Sequence, residues 1–466
     1  MQKFFQMALL IGALAATLRP CGAATLPTLT TLYSFLGEGD GDSPEANLVF
    51  NTSTGALYGT TIAGGASGWG TVFELSPPTQ TGGPWTKTAI HSFTGGTDGA
   101  NPVAGLLLTS GGALYGTTEL GGSKGFGTVF SLTPPTPPST TWTLTTLYAF
   151  TGQNGDGAYP ESGLVMNKEV LYGTTTFGGS AGYGTVFSLT PKAGGRWAEA
   201  VLYSFNGAPT GCGTTGNPAC DGANPEAGVT VLSSTGVLYG TTFAGGTLDY
   251  GTVYSLTPPT PPATTWAPTV LYSFNGAPSG IGGGAACGTT GQLPCDGAYP
   301  AGGVTVFTGG VLYGTTAIGG NPTGCPLGGF AQGCGAVFQL KPPTPPATTW
   351  TESLIYIFTG PPKDGWSPSE TLAIGATGTL FGTTLAGGST DDNCFPASYL
   401  GCGIVYQLKP PVAPATTWTK NTLAIFEDVN GGGPNGVVLG KNGVLYGTTF
   451  VGGITGGNGT VFEVVP

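Results

Sequence analysis

One five-residue motif, Leu-Tyr-Gly-Thr-Thr, recurs along the chain and constrains its fold more than any other feature. The motif begins at Leu57, Leu114, Leu171, Leu238, Leu312 and Leu445, and a variant with Phe in place of Tyr begins at Leu380. A Gly-Thr-Val-Phe-like segment follows each copy, and strands ending in Phe recur in phase with both. Self-similarity at a regular spacing is the signature of a repeat architecture. The 466-residue chain therefore contains seven copies of one structural unit.

Each unit contains four short segments typical of β-strands. In the first complete unit they span residues 46–50, 56–62, 70–76 and 85–93, and each is rich in β-branched or aromatic residues between Gly, Pro or Asn turns. No segment shows helical periodicity. Such repeats match propeller blades better than solenoid units, which are about half as long. The sequence thus predicts an all-β fold, a seven-bladed β-propeller of four-stranded antiparallel blades, with strands named a to d from axis to rim.

The phase of the repeat also predicts how the ring closes. The chain begins with a d-type strand at residues 29–35 and ends with a c-type strand at residues 459–465. The last blade then lacks its outer strand, and the N-terminal strand can supply it. Closure of this kind protects a ring of blades from opening.

Composition excludes two classes of protein. Glycine and proline make up about 27% of the chain, but only 8% of residues are charged and 11% are aromatic, which is the opposite of a disordered composition. The net charge of −11 would repel phosphates, so nucleic acid is excluded as a partner.

The repeat resembles two known sequence patterns. A hydrophobic strand, a Gly-Gly pair, a second strand and a following Trp resemble the kelch repeat. Leu-Tyr-Gly-Thr-Thr-x-x-Gly-Gly followed by Gly-Thr-Val-Phe resembles more closely the GloVer tandem-repeat family of exported bacterial proteins, over essentially all of residues 25–466. The resemblance implies a secreted or surface location and carries no established activity.

The first residues are typical of a secretory signal peptide. Lys3 is followed by an apolar stretch at residues 4–16, and small residues precede a cleavage position after Ala24. We therefore expect residues 1–24 to be a signal peptide and residues 25–466 a single propeller domain. Arg19 and Pro20 fit a lipobox poorly, so we expect Cys21 to be removed with the signal. We expect no transmembrane segment, and a location that is secreted, extracellular or in the cell envelope.

Eight later cysteines form four close pairs along the sequence. In an exported chain this pattern favours four disulfides over metal sites, which prefer shorter spacings and His partners. The first two pairs fall in d-to-a loops and the last two in b-to-c loops, which emerge on the same side of a four-stranded blade; we call this side the loop face. The expected disulfides are Cys212–Cys220, Cys287–Cys295, Cys325–Cys334 and Cys394–Cys402.

Aromatic residues of the loop face are the candidate ligand-binding residues. Flat rings around the mouth of a propeller suit stacking on sugars, with Asn101 or Asn224 bonding hydroxyl groups. The alternative is packing between blades, because buried aromatic rings carry much apolar area. The candidates are Trp69, Phe126, Tyr159, Tyr183, Tyr250, Tyr299 and Trp366.

An Asp-Gly-x-x-Pro segment precedes strand a in six units, with Asn430 replacing Asp in the seventh. A side chain that caps backbone N–H groups in a turn explains this recurrence better than a ring of cation ligands. We therefore interpret Asp98, Asp156, Asp221, Asp296 and Asp364 as structural turn residues. The denser clusters Asp40 with Asp42, and Asp391 with Asp392, are weaker candidates for a Ca²⁺ site; no other cofactor is indicated.

Catalysis finds little support in the sequence. The only histidine, His91, replaces a Tyr of the repeat, which disfavours a Ser-His-Asp site or a His-bound metal. Carboxylate pairs remain open, with Glu45, Glu161 and Glu226 as candidates. The sequence favours a monomeric exported binding module for extracellular carbohydrate or a surface protein. The alternatives are a polysaccharide hydrolase or lyase that uses carboxylates of the same face, and a purely structural cell-envelope protein.

Overall fold

Seven antiparallel sheets follow one another in a computed structural model of the chain. The structure describes residues 27–80, 82–207, 221–276, 295–320, 325, 333–389, 394, 401–454 and 457–466. Their sheets run a-b-c-d in chain order, which confirms a seven-bladed β-propeller of four-stranded blades. The proposed signal peptide lies outside the described residues.

The strands of the first three blades are as follows. Blade 1 has Val49–Phe50, Leu57–Thr61, Thr71–Ser76 and Thr86–Ser92. Blade 2 has Leu107–Leu108, Leu114–Thr118, Thr128–Thr133 and Thr143–Ala149. Blade 3 has Val165–Asn167, Val170–Thr175, Thr185–Lys192 and Arg196–Ser204.

The strands of the other four blades follow the same order. Blade 4 has Thr230–Leu232, Val237–Thr242, Thr252–Thr257 and Ala267–Ser273. Blade 5 has Thr305–Val306, Leu312–Thr316, Ala336–Lys341 and Thr351–Ile357, and blade 6 has Ala373–Ile374, Leu380–Thr384, Ile404–Lys409 and Thr419–Ile425. Blade 7 has Val438–Leu439, Leu445–Val451, Thr460–Val465 and the N-terminal Thr28–Ser34.

Smaller elements lie between these strands. Short pairs join Gly157–Ala158 to Phe177–Gly178 and Gly365–Trp366 to Ala386–Gly387, and Gly432–Pro434 pairs with strand b of blade 7. The helical elements in the described ranges are single 3₁₀ turns at Glu38–Asp40, Ala193–Gly195, Thr308–Gly310 and Lys441–Gly443. None of the described helices is long and apolar enough to cross a membrane.

The N-terminal strand closes the ring as the sequence predicts. Thr28–Ser34 pairs antiparallel with Thr460–Val465, so the first described strand completes the last blade. A hydrogen bond from Thr448 Oγ1 to the carbonyl oxygen of Ala46, at 2.9 Å, joins the same blade to blade 1. The two ends of the described part of the chain are therefore held by one sheet, and the blades on either side are bonded to each other.

The Leu-Tyr-Gly-Thr-Thr motif is explained by packing within and between blades. In blade 1, Leu57 is buried in the core, and Tyr58 meets the edge of Trp142 from the next blade. Gly59 lies beneath the ring of Phe73, where an added Cβ would approach within 2.6 Å. The contact between the motif tyrosine and a Trp of the next blade recurs in blades 2, 3, 4, 5 and 7, so the motif encodes the joint between neighbours.

Strand a is shorter than the sequence predicts, and the first threonine of the motif gives the reason. Thr60 Oγ1 donates to the carbonyl oxygen of Ala104 in the next blade at 3.1 Å, and equivalent bonds recur around the ring. Residues just before strand a thus bond across the blade interface and not within their own sheet. The second threonine, Thr61, bonds Thr71 of strand c.

Candidate functional site

The d-to-a and b-to-c loops are bonded to each other on the loop face. The backbone N–H of Asn101 donates to the carbonyl oxygen of Trp69 at 3.0 Å, and that of Tyr159 donates to Phe126 at 3.0 Å. The same bond joins Tyr299 to Tyr250. Each d-to-a loop is therefore held against the b-to-c loop of the preceding blade.

The described disulfides lie on this face. Cys325–Cys334 and Cys394–Cys402 are formed, each with Cα atoms 5.3 Å apart, which confirms two of the four predicted pairs. Cys295 is also disulfide-bonded. The predicted bonds of Cys212, Cys220 and Cys287 lie outside the described residues.

The aspartates of the d-to-a loops accept hydrogen bonds from the end of the preceding strand d. Tyr148 Oη donates to Asp156 at 3.1 Å, and the N–H of Thr151 donates to the same carboxylate at 2.7 Å. The other aromatic partners in this arrangement are Tyr33 for Asp40, His91 for Asp98, Tyr203 for Asp221, Tyr272 for Asp296 and Tyr356 for Asp364. These carboxylates therefore tie their loops to the preceding strand d.

The seventh copy changes both partners of this pair. Ala424 stands where the other blades have Tyr or His, and Asn430 stands where they have Asp. Asn430 Oδ1 instead accepts the N–H of Glu427 at 2.8 Å. The joint change shows that the Tyr or His of strand d is the partner of the loop aspartate. His91 has this role in its blade, since its Nε2 lies 3.2 Å from Asp98 Oδ2.

The proposed metal ligands have protein partners. Lys87 Nζ lies 2.9 Å from Asp40 Oδ1, and Ser43 Oγ donates to Asp42 Oδ1 at 3.0 Å. Burial opposes ionisation of Asp40, but hydrogen bonds from Lys87 and Leu36 hold its pKa below the usual value. Asp391 and Asp392 lie outside the described residues. Within the ranges that the structure does describe, no three His, Cys, Asp or Glu side chains form a group that could hold a metal ion.

The aromatic residues that precede the Gly-Thr-Val-Phe segments cover glycines of the next d-to-a loop. A Cβ added at Gly95 would lie 2.6 Å from Trp69, and Gly207 has the same relation to Tyr183. Trp69 is still 44% exposed and Tyr183 42% exposed, whereas Tyr250 is only 1% exposed. Trp69 and Tyr183 therefore present a ring edge or face to solvent, and Tyr250 does not.

Tyr159 and Tyr299 lie in the d-to-a loops with an unusual backbone conformation. Their φ angles are +56° and +57°, in the left-handed region that favours Gly and Asn. Equivalent positions in other blades hold Ser43, Asn101 and Asn224 at φ angles of +53° to +54°. Tyrosine at this position costs free energy that Asn would not, and such outliers suggest a role for the side chain.

Each of these tyrosines belongs to a small aromatic cluster. Tyr159 lies edge-on to Phe126 and to the exposed Phe177, with ring centroids 5.6 and 5.9 Å apart. Tyr299 stacks on Phe243 at 4.8 Å. Trp366 occupies a different position, one residue before Ser367, and is half-buried in the short pair Gly365–Trp366.

Exposed apolar side chains are concentrated on the loop face. Of the twelve large apolar side chains that are exposed in the described residues, seven lie in its loops and one, Val412, lies in a c-to-d loop. The seven are Leu36, Trp69, Phe177, Tyr183, Leu248, Val429 and Ile454. Exposed apolar groups that share one face are typical of a binding surface.

Glutamates surround the mouth of the central channel on the same face. A cavity of about 340 Å³ on the axis is lined by residues that precede strand a in blades 1 to 6. Five carboxyl groups lie here or at the adjoining mouth: Glu45, Glu119, Glu161, Glu226 and Glu370. The sequence pointed to three of them, but Glu370 lies one residue further along its repeat and Glu119 follows strand b, so neither shares the repeat position of the others.

Burial and mutual repulsion disfavour ionisation of this carboxyl ring. Burial and the charge of Glu161 raise the pKa of Glu226 to about 7. Burial and the charge of Glu45 likewise raise the pKa of Glu370 to about 7, although Asn47 Nδ2 donates to its Oε2 at 3.3 Å. At neutral pH the mouth therefore holds both carboxyl donors and carboxylate acceptors.

The N-terminal half of the chain matches a known family model. That model, the Gloeobacter/Verrucomicrobia repeat, covers residues 17–219. These residues carry the Gloeobacter/Verrucomicrobia repeat. The match confirms the resemblance to the GloVer family that the sequence motifs suggested. No functionally curated protein matches the chain.

Several solved structures resemble the chain at low identity. A 6-phosphogluconolactonase candidate from Bacteroides uniformis shares 12% identity over 84% of this chain and 88% of its own, with a TM-score of 0.46. A glucose dehydrogenase candidate from Thermus thermophilus shares 14% over 94% and 100%, with a TM-score of 0.38. A luciferin-regenerating enzyme shares 13% over 82% and 94%, with a TM-score of 0.39. Similarity at this level carries no argument about activity.

Proposed function

We propose that this protein is an exported binding module whose loop face binds extracellular carbohydrate. The observation that carries the proposal is the convergence of exposed aromatic rings and the carboxyl-lined mouth on one face. Sugars present apolar C–H faces beside hydroxyl groups, so a site that binds them needs flat apolar surfaces beside hydrogen-bonding groups.

The parts of the loop face divide these tasks. Trp69, Tyr183 and the Tyr159–Phe177 pair offer rings for stacking. At the axis, Glu161 and Glu226 offer carboxyl groups that accept hydrogen bonds from hydroxyls when ionised and donate to them when protonated. Disulfides within the b-to-c loops of blades 5 and 6 reduce the freedom of those loops before a ligand arrives, which lowers the entropic cost of binding.

Export is part of the proposal. Disulfides form and persist mainly in oxidising compartments, and two pairs are formed in the described residues. We therefore assign the protein to the extracellular space or the cell envelope. Expression with residues 1–24 in a bacterial host should deliver the mature chain outside the cytoplasm, whereas retention of the full-length chain in the cytoplasm would contradict the assignment.

A hydrolase is the second candidate, and one observation favours it. Glu226 has a pKa raised to about 7 and is influenced by the charge of Glu161. Burial raises the pKa of Glu161 as well, and a hydrogen bond from the Thr176 hydroxyl opposes that rise. A pair of carboxyl groups of which one keeps its proton near neutral pH is what general acid and base catalysis of glycoside cleavage requires. In this reaction Glu226 would protonate the leaving oxygen, and Glu161 would act as nucleophile or base.

A glycan array followed by a turnover assay tests both candidates. We expect the full chain to bind one class of polysaccharide without releasing reducing ends. Trp69→Ala and Tyr183→Ala should weaken binding at least tenfold, while Val412→Ala, on the opposite face, should leave it unchanged. Product release that Glu226→Gln abolishes would replace the binding module by the hydrolase. Failure to bind any polysaccharide would favour the purely structural alternative.

A further inference from the structure

In blades 1, 3, 5 and 6, one position in strand d lies beside the aspartate of the preceding d-to-a loop. This position pairs in the strand register with the leucine that lies two residues after the Gly-Thr-Val-Phe-like segment. The pairs are Lys87 with Leu75, Glu199 with Leu189, Glu352 with Leu340 and Lys420 with Leu408. The same position thus holds a cation in blades 1 and 6 and an acid in blades 3 and 5.

The lysines show what this position does. Lys87 Nζ bonds Asp40 Oδ1 at 2.9 Å and also the Asp40 carbonyl oxygen, and its side chain is only 5% exposed. Lys420 Nζ bonds Asp364 Oδ1 at 2.7 Å. Both ammonium groups also lie over the tyrosine of the preceding strand d, Tyr33 and Tyr356. In these blades a positive charge ties strand d to the loop.

The glutamates face the same loop aspartates without a cation. One oxygen atom of each, Oε1 of Glu199 and Oε1 of Glu352, is buried and has no hydrogen-bond partner among the described residues. Burial, followed by the charge of Asp156, raises the pKa of Glu199 to about 7. Burial and the charge of Asp296 raise the pKa of Glu352 to about 8. Each pair is therefore stable when it holds a proton and repulsive when it does not.

The two loops concerned are the ones that carry the tyrosines with left-handed backbone. Asp156 is followed three residues later by Tyr159, and Asp296 by Tyr299. The loops tied by lysine carry Ser43 and Ser367 at that position. The acid pairs and the strained aromatic residues thus occur together.

We propose that Glu199, beside Asp156, and Glu352, beside Asp296, each hold a proton, and that loss of this proton loosens the loops that carry Tyr159 and Tyr299. The protein then binds its ligand more strongly in acidic surroundings than in alkaline ones. This regulation rests on the proposed function, because it assumes that these tyrosines contact the ligand.

The remaining titratable groups at these positions do not compete for the proton. Tyr148 faces both Glu199 and Asp156, and Tyr272 faces both Glu352 and Asp296. Burial and the neighbouring acids raise the pKa of both phenols, so they stay protonated at neutral pH. Their hydroxyls donate to the aspartates in either state of the pair.

The direction of the pH effect follows from linkage. The closed loop binds the proton more tightly than an open loop, whose glutamate has an ordinary pKa of about 4.3. Opening therefore releases a proton and becomes up to about tenfold more favourable per pH unit. This rise begins near pH 5 and ends near pH 7 for the loop of Asp156 and near pH 8 for the loop of Asp296.

Hydrogen exchange of the full chain, corrected for intrinsic rates, tests the proposal. Between pH 5 and pH 8.5 we expect protection of residues 157–159 and 297–299 to fall at least tenfold, while residues 365–367, tied by Lys420, change little. Glu199→Lys and Glu352→Lys should abolish the fall in their own loops. Glu199→Gln, which cannot ionise, should also abolish it, and Glu74→Gln is the matched control that should not.

Three results would overturn the proposal: equal pH dependence in all three loops, pH dependence that survives in the lysine variants, and protection that Ca²⁺ or Na⁺ restores at pH 8.5 in the parent but not in Glu199→Gln. The last would show that a metal cation, not a proton, neutralises the pair. If the loops respond to pH but the protein binds no polysaccharide, the proposed function is refuted and the proposal about the glutamate protons stands. If the protein binds polysaccharide but the loops do not respond to pH, the proposal about the glutamate protons is refuted and the proposed function stands.

Discussion

Two buried tyrosines offer a direct test of how the blades pack. Tyr254 and Tyr406 stand where the other five blades have Phe, and both side chains are buried at the interface with the preceding blade. Their hydroxyl oxygens have no hydrogen-bond partner in the part of the chain that the structure describes. Tyr254→Phe and Tyr406→Phe should therefore stabilise the protein.

The expected magnitude follows from the environment of each ring. A Cβ added at Gly240 would lie 2.5 Å from the Tyr254 hydroxyl, and one added at Gly173 would lie 2.7 Å from the tip of the Phe187 ring. The two rings are thus seated alike, and removing the hydroxyl leaves the packing unchanged. An unsatisfied buried hydroxyl costs about 1–3 kcal/mol. We expect a gain of about 1 kcal/mol per substitution and, because blade 5 separates the two sites, about 2 kcal/mol for both.

Urea unfolding at pH 7 measures this gain as a change in the free energy of unfolding. The reverse substitutions, Phe187→Tyr and Phe338→Tyr, are matched controls and should each lose about the same amount. A loss of stability in Tyr254→Phe would refute the reasoning, because it would show that the hydroxyl has a bonding partner such as a buried water molecule.

Three further predictions concern the ties that hold the ring together. Lys420→Met should lower the free energy of unfolding by about 3 kcal/mol at pH 7, because it leaves Asp364 charged and without its cation. Burial opposes ionisation of Asp364, but Lys420 keeps its pKa low, so the substitution should cost less stability at pH 3. An equal loss at both pH values would contradict the ion pair. Cys402→Ser should cost about 2.5 kcal/mol in urea unfolding without reductant and nothing relative to the reduced parent. Deletion of Thr28–Ser34 exposes the edge of blade 7 and should give oligomers in analytical ultracentrifugation, which a peptide of that strand disperses; a stable monomer would contradict closure.

The repeated positions were readable from the sequence because each blade makes the same contacts. Leu57, Gly59 and Thr60 recur in phase, and each has one task that only its residue type performs: burial, close approach of a ring, and a bond to the next blade. Strand order, blade number and ring closure follow from that phase. The loop aspartates could be interpreted in the same way, because a turn cap is a local interaction.

The candidate functional residues could be predicted only in part, because residues at one repeat position differ in exposure. Trp69 and Tyr250 share one repeat position, yet one ring is exposed and the other is buried, because the surrounding loops differ in length and side chains. The sequence does not predict a role for Glu370 and Glu119, because they lie at different repeat positions from Glu161 and approach it only around the axis. Sequence spacing does not report which blades face each other across a channel.

The amino-acid sequence alone determined the architecture of this protein, since seven copies of one unit that bury the same side chains admit a closed ring of blades and little else. Only the tertiary structure decided which side chains share the loop face, which carboxyl groups meet at the axis, and where Glu199 and Glu352 replace a lysine beside a loop aspartate. The physical reason is that packing within a repeat is set by local periodicity, whereas charge repulsion, burial and exposure depend on neighbours that are distant in sequence.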